Sequence, residues 1–223
     1  MAITTVVFDL DGTLIDTAPD LINACNHVMA GAGLGPVPES VLRPCISFGS
    51  RLMIQRGLEH HGRSMPSPDI DAMWQTFLAY YAANIAVDSR PYPHLEDILA
   101  GLSERGVRLA VCTNKLEGLS HKLLNALGFA DKFAAICGRD TFPVCKPHPD
   151  HLRGAIMRAG GDPARSIMVG DSDTDVATAK AAGIPIIGVS FGYTEIPMRD
   201  LRPDVLIDHY REFDAALARL HGK

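Results

Sequence analysis

Two carboxylates follow the first apolar run of the chain, in the stretch VVFDLDGTL at residues 6–14. Because side chains alternate along a strand, Asp9 and Asp11 point to the same side, with Cα atoms about 6 to 7 Å apart. At about 4 Å and an effective dielectric near 20, two such charges repel by about 4 kcal/mol, so the pair needs a cation or a shared proton. Gly12 and Thr13 add backbone amides and a hydroxyl that suit an anion. The alternative is a surface turn, because Asp-Gly is a common turn pair.

Polar residues also follow two later apolar runs. Thr113 and Asn114 precede a helical pattern, so their side chains could hold a phosphate oxygen at a helix N-terminus. An ordinary helix cap is the alternative for this pair. Lys146 is followed by a proline, which favours an extended backbone and a defined place for the ammonium group. Its alternative is a solvated surface lysine.

A third acidic stretch is GDSDTD, at residues 170–175. A calcium loop would need glycine at its sixth position and glutamate at its twelfth, where this chain has valine and alanine. A helix cap explains some of these residues, but it leaves Asp171 without a function. Together with Asp9 and Asp11, Asp171 would complete an all-oxygen site that suits Mg²⁺.

These residues require a sheet that brings the ends of several strands together. Six short apolar runs alternate with helix-length segments, which predicts an α/β fold with a Rossmann-like parallel sheet flanked by helices. In such sheets, ligands bind beyond the carboxyl ends of the strands. The predicted strands are Val6–Phe8, Val107–Cys112, Phe133–Cys137, Ile167–Val169, Ile186–Val189 and Val205–Ile207.

The first connection is too long for a simple crossover, since roughly 90 residues separate the first strand from the second. Apolar residues recur there at helical spacing, once between Leu21 and Met29 and again between Ile70 and Ile85. The pattern predicts a small all-helical insert at residues 16–89. Residues 1–15 and 90–223 would then form the core.

Composition narrows the possible partners. The net charge is −5, so the chain lacks the basic surface that nucleic acid or an anionic membrane would require. Five scattered cysteines without a CxxC pair argue against a disulfide framework, and no apolar window reaches the length of a membrane span. We expect a cytoplasmic protein. Four histidines are predicted at the surface: His60, His61, His148 and His151.

The four strand-end motifs, in this order, resemble those of the haloacid dehalogenase-like hydrolases, and the helical insert resembles the small mobile cap domain of that family. The motifs are DLDGT, the Thr113 strand end, Lys146 and GDSDTD. The segments Tyr92-Pro93-His94, Thr113-Asn114-Lys115, Lys146-Pro147-His148-Pro149 and Gly192-Tyr193 are similar to the phosphoglycolate phosphatase subgroup.

The resemblance implies a Mg²⁺-dependent phosphomonoester hydrolase. Asp9 would attack phosphorus and carry an aspartyl-phosphate, while Asp11 would protonate the leaving alcohol and then activate water. The metal ligands would be Asp9, the backbone carbonyl of Asp11 and Asp171. The phosphoryl group would be bound by Gly12, Thr113, Asn114 and Lys146. Asp175 would not touch the substrate but would orient these binding residues.

The resemblance also implies a substrate of the size of 2-phosphoglycolate, selected by the insert. Arg43 or Arg51 could clamp its carboxylate, with Gly49 and Ser50 in the same substrate-facing loop. A sugar phosphomutase or an inorganic pyrophosphatase on the same core remains open. So does a non-catalytic phosphate-binding or signalling protein. We expect a monomer or a homodimer.

Overall fold

The computed structural model describes residues 3–221 and contains one large parallel sheet and one small antiparallel pair. The α/β fold predicted from the sequence is confirmed, and each of the six predicted strands is present within two residues of its predicted limits. The strands are β1 (Thr5–Phe8), β2 (Ile15–Asp16), β3 (Arg90–Pro91), β4 (Arg108–Cys112), β5 (Ala135–Cys137), β6 (Ser166–Gly170), β7 (Ile186–Val189) and β8 (Val205–Ile207).

The order of strands in the large sheet is β5-β4-β1-β6-β7-β8, and all neighbours are parallel. Numbered along the chain within this sheet, the order is 3-2-1-4-5-6, the doubly wound arrangement in which the direction of winding reverses beside the first strand. At the end of β1, Phe8 pairs with Val111 on one side and Val169 on the other. The crevice beyond these three strand ends is where such a sheet binds ligands.

Helices cover both faces of the sheet, because β1 has apolar side chains on both sides. Val6 and Phe8 belong to one apolar cluster and Val7 to the other, as the two-residue period of a strand requires. The helices of the core are α5 (Leu95–Glu104), α6 (Glu117–Ala126), α7 (Pro149–Arg158), α8 (Asp173–Ala182), α9 (Met198–Leu201) and α10 (Phe213–His221).

Residues 16–89 of the long first connection contain four helices and a 3₁₀ segment at Arg43–Phe48. These helices pack on one another through buried side chains such as Met29, Ile54 and Phe77. Strands β2 and β3 pair antiparallel where the chain leaves and re-enters the core. The helices are α1 (Ala18–Gly31), α2 (Glu39–Leu42), α3 (Ser50–His60) and α4 (Ser67–Ala83). Among the described residues, no helix combines the length and apolarity that crossing a membrane requires.

Candidate active site

A cavity of about 310 Å³ lies between the carboxyl ends of the strands and the helices of the long first connection. Core residues and helical residues face each other across it, so the two parts of the chain together enclose the cavity. The predicted site residues on its wall are Asp9, Asp11, Gly49, Ser50, Thr113, Asn114 and Lys146.

Asp9 lies directly after β1, and its backbone N–H continues the sheet by donating to Val169 O. Its Oδ1 accepts a hydrogen bond from Leu10 N at 2.7 Å and lies 2.9 Å from Lys146 Nζ. Burial, reinforced by the charge of Asp175, raises the pKa of Asp9 to about 7 even though Lys146 acts in the opposite direction. No described hydrogen bond involves Oδ2, so this oxygen is available to a ligand.

Lys146 connects two carboxylates, because its Nζ lies 2.9 Å from Asp9 Oδ1 and 2.6 Å from Asp175 Oδ1. Its side chain is almost fully buried, which by itself would lower the pKa of the ammonium group. The two carboxylates outweigh this effect and hold the pKa of Lys146 above its usual value. The lysine is therefore a permanent positive charge at the floor of the cavity, and the surface-lysine alternative does not apply.

His151 fixes the backbone on which Lys146 stands. Its Nδ1 accepts from Lys146 N at 3.0 Å, and its Nε2 lies 3.0 Å from Gly138 O. The prediction that His151 is a surface residue is wrong: His151 belongs to α7 and lies on its buried face, one helical turn before Ala155. Burial and the charge of Lys146 lower its pKa to about 4, so the imidazole is neutral.

Asp171 is fully buried at the end of β6. It accepts hydrogen bonds from Thr13 Oγ1 and from Tyr193 N, both at 2.8 Å. Burial and the charges of Asp175 and Asp9 raise its pKa well above the usual value. The backbone lies close around this carboxylate, because a Cβ at Gly12 would come within 2.4 Å of Asp171 Oδ2.

Asp175 is held in the first turn of α8. Ser172 is the N-cap of α8 and forms a capping box with Asp175, whose Oδ2 accepts from Ser172 Oγ at 2.6 Å and from Asp171 N at 3.2 Å. Its Oδ1 contacts Lys146. Both oxygens of Asp175 are therefore occupied, and the carboxylate orients its neighbours.

The carboxylates fit a divalent cation. One oxygen each of Asp9, Asp171 and Asp175 lie within 4.8 Å of one another. All donors are oxygens, which is the ligand set that Mg²⁺ prefers. When all groups are ionised, four carboxylates face two ammonium groups, an excess of two negative charges that one divalent cation balances. The network consists of Asp9, Asp11, Asp171, Asp175, Lys115 and Lys146.

Asp11 does not share a cation with Asp9 through its side chain. Its Oδ1 and Oδ2 lie 2.9 and 3.1 Å from Lys115 Nζ, and Oδ1 also accepts from Thr17 Oγ1 at 2.7 Å. Each of the two carboxylates thus has its own lysine. Lys115 was missed as a site residue at the level of the sequence, although its position directly after Thr113-Asn114 at a strand end was a usable signal.

Thr113 and Asn114 line the cavity beside Lys146. Thr113 Oγ1 accepts from Lys115 N at 3.2 Å, which leaves its hydroxyl proton free to donate to a ligand. Asn114 Nδ2 donates to Lys146 O at 3.1 Å, while Asn114 Oδ1 is buried without a hydrogen-bond partner. This bond makes Asn114 a support for the lysine as well as part of the wall.

The two arginines predicted to bind the substrate carboxylate do not line the cavity formed by the described residues; each is paired with an acidic side chain outside it. Arg43 forms an ion pair with Asp16 at 3.3 Å, and its guanidinium lies 5.1 Å from the centre of the Tyr193 ring. Arg51 pairs with Asp71 and lies over the ring of Trp74. Neither arginine is part of the cavity wall that residues 3–221 form.

This chain resembles known proteins over most of its length. Residues 6–189 match the family model for haloacid dehalogenase-like hydrolases. A phosphoglycolate phosphatase of Agrobacterium fabrum is 47% identical over 211 residues, which cover 95% of this chain and 91% of that protein. An N-acetylmuramic acid 6-phosphate phosphatase of Pseudomonas aeruginosa is 34% identical, with coverage of 98% and 96%.

Solved structures also resemble this chain, in fold as well as in sequence. A protein from Haemophilus somnus, described as a predicted phosphoglycolate phosphatase, has a TM-score of 0.89 and 28% identity to this chain. The alignment covers 96% of this chain and 97% of that one. The fold, the family model and the relatives agree, and this chain belongs to the haloacid dehalogenase-like hydrolase family.

Proposed function

We propose that this hydrolase is a Mg²⁺-dependent phosphatase that forms an aspartyl-phosphate on Asp9 and acts on 2-phosphoglycolate. One observation carries the proposal: a buried carboxylate on the wall of a cavity is held on one oxygen by a charged lysine, and its other oxygen has no described hydrogen bond. The Agrobacterium fabrum relative, which is named a phosphoglycolate phosphatase, supports the choice of substrate.

Each step of the proposed reaction is assigned to a particular residue. Asp9 Oδ2 attacks phosphorus, because Oδ1 is occupied by Lys146 and Leu10 N. Lys146 and the Thr113 hydroxyl hold the phosphoryl oxygens, with Asn114 on the same wall. Gly12 does not line the cavity that the described residues form: it lies against Asp171, and its N–H donates to Ile15 O, so its contribution is to leave room for that carboxylate. Asp11 protonates the leaving oxygen and then takes a proton from the attacking water.

Asp9, Asp171 and the backbone carbonyl of Asp11 would hold Mg²⁺. When bound, the ion offsets the negative charge that otherwise keeps a carboxylate away from a phosphate. Asp175 is not assigned as a ligand because the Lys146 ammonium pairs with its Oδ1 and three donors contact its Oδ2, whereas each oxygen of Asp171 accepts a single neutral hydrogen bond. Residues 16–89 form the cap domain and residues 1–15 with 90–223 the catalytic core, so that closure of the cap excludes bulk water.

The test is phosphate release with and without Mg²⁺ from wild type and Asp9→Asn. The substrates are 2-phosphoglycolate, ethyl phosphate, N-acetylmuramic acid 6-phosphate, hexose phosphates and pyrophosphate. We expect a Mg²⁺-dependent preference for 2-phosphoglycolate and a loss of about 10³-fold or more in kcat for Asp9→Asn.

Asp97→Asn is the matched control, because the Asp97 side chain is 81% exposed on α5. This variant should keep full activity. Turnover in Asp9→Asn close to that of wild type would refute the assignment of the nucleophile. Activity that requires a sugar bisphosphate primer would instead identify a mutase.

A further inference from the structure

The second charge of the proposed substrate limits where its binding group can lie. The carboxylate of 2-phosphoglycolate is separated from the ester oxygen by a single methylene group. The group that protonates this oxygen, Asp11 in the proposed function on which this inference rests, must therefore lie close to whatever binds the carboxylate. A cation in contact with Asp11 is the group to look for.

Lys115 is the cation that contacts Asp11. Two of its three N–H donors are used by Asp11 Oδ1 and Oδ2, at 2.9 and 3.1 Å. The side chain of Lys115 is 6% exposed and lies on the cavity wall, so the remaining donor is shielded from bulk water. A charge-assisted hydrogen bond in such a place is stronger than one at the surface.

Two unpartnered hydroxyls lie on the same wall. Tyr81 is 1% exposed, and its Oη is buried without a hydrogen-bond partner, while the Lys115 ammonium lies 4.5 Å from the centre of its ring. Ser47 Oγ is also buried and unpartnered. Leaving a buried hydroxyl without a partner costs about 1 to 3 kcal/mol, and on the wall of a cavity such a group is free to bind a ligand atom.

We propose that Lys115, together with the hydroxyl groups of Tyr81 and Ser47, binds the carboxylate of the leaving group. The ammonium supplies charge, and the two hydroxyls donate hydrogen bonds to the carboxylate oxygens. The subsite selects short phosphorylated acids, because it lies beside Asp11 and a longer leaving group would carry its carboxylate past Lys115.

The other cations of the cavity region fit this task less well. Arg43 and Arg51 are engaged by Asp16 and Asp71, away from the wall. Arg139 lies at the cavity but is exposed to solvent, and no described contact joins it to Asp11. A solvated guanidinium contributes little to the binding of a carboxylate.

The experiment measures kcat/KM for 2-phosphoglycolate and for ethyl phosphate, which has no carboxylate. Lys115→Met should lower the ratio of the two values by about 10- to 100-fold. Loss of the Asp11 partner affects both substrates, so the ratio cancels this contribution. Tyr81→Phe removes one oxygen atom and should lower the ratio by about 5- to 10-fold without lowering the midpoint of unfolding. Arg139→Met should leave the ratio within about 3-fold of wild type.

The outcomes separate this inference from the proposed function. If wild type prefers 2-phosphoglycolate while both Lys115→Met and Tyr81→Phe retain the wild-type ratio, the subsite is refuted and the phosphatase stands. A large decrease of the kcat/KM ratio in Arg139→Met alone would also refute the subsite, because it would show that the carboxylate binds at the exposed Arg139. Wild type without Mg²⁺-dependent hydrolysis of either ester refutes the proposed function and the subsite with it. Should Lys115→Met fail to fold, Tyr81→Phe decides.

Discussion

The hydroxyl of Tyr193 joins the core to the start of the first helix of the insert. It accepts from Thr17 N at 2.7 Å and from Ala18 N at 3.0 Å, and it donates to Asp16 Oδ1 at 2.6 Å. The first N–H groups of a helix lack partners within the helix. In α1 the N-cap residue Thr17 makes no side-chain cap bond, so the tyrosine hydroxyl acts as the cap.

Tyr193→Phe therefore removes three hydrogen bonds at once. Two join neutral groups, each contributing about 1 kcal/mol, and the third joins a carboxylate and contributes about 1.5 to 3 kcal/mol. The expected loss in the free energy of unfolding is about 3 to 5 kcal/mol. The ring stays in place, since Tyr193 is 2% exposed and phenylalanine fills the same space apart from one oxygen.

Tyr81→Phe is the matched control, because Tyr81 is 1% exposed and its hydroxyl has no hydrogen-bond partner. Removing that oxygen should leave the free energy of unfolding unchanged or slightly higher. Both variants are compared with wild type by urea unfolding, monitored by circular dichroism at constant pH. Equal destabilisation by the two substitutions would refute the reasoning, because the hydrogen bonds are the difference between them.

Two further changes test the site. The pKa of His151, at about 4, lies below its usual 6.5, so the unfolded chain binds more protons between these pH values and stability falls as pH drops through them. Urea unfolding at pH 7 and pH 5 should show a contribution of at most about 2 kcal/mol from this residue, and His151→Gln should lack it. Gly12→Ala should lower kcat by about 100-fold or more and weaken Mg²⁺ activation, because φ is +82° and the new Cβ would meet Asp171. Gly101→Ala, in the open middle of α5, is the control and should keep activity.

The sheet could be predicted from the sequence because its signals are local. Each strand is an apolar run bounded by turn or polar residues, and a parallel sheet necessarily brings the carboxyl ends of its strands to one edge. The same rule predicts, without any knowledge of side-chain contacts, that four residues at strand ends lie close together: Asp9, Thr113, Lys146 and Asp171. In the insert, α1 and α4 have strong periodic patterns, whereas α2 has only four residues and carries no such signal.

The contacts that could not be predicted from the sequence depend on how the folded chain places side chains, whether their partners are near or far along the chain. No local pattern shows that the Tyr193 hydroxyl reaches Thr17, 176 residues earlier. Threonine is a common N-cap residue, but the hydroxyl of Thr17, at the N-cap of α1, donates to Asp11 instead. His151 was misassigned because a histidine is polar, although its place one turn before Ala155 put it on the buried face of α7.

Asp11 and Asp9, the proposed proton-transfer residue and the proposed nucleophile, are anchored differently. The described side-chain contacts of Asp9, Asp171 and Asp175 are all with residues of the core, so movement of the insert leaves them intact. Asp11 instead has Lys115 in the core on one side and Thr17, at the start of α1, on the other. A movement of the insert that displaced Thr17 would change a contact of Asp11 and none of those described for Asp9. In the proposed mechanism, we therefore expect proton transfer to be the step that is sensitive to the position of the insert.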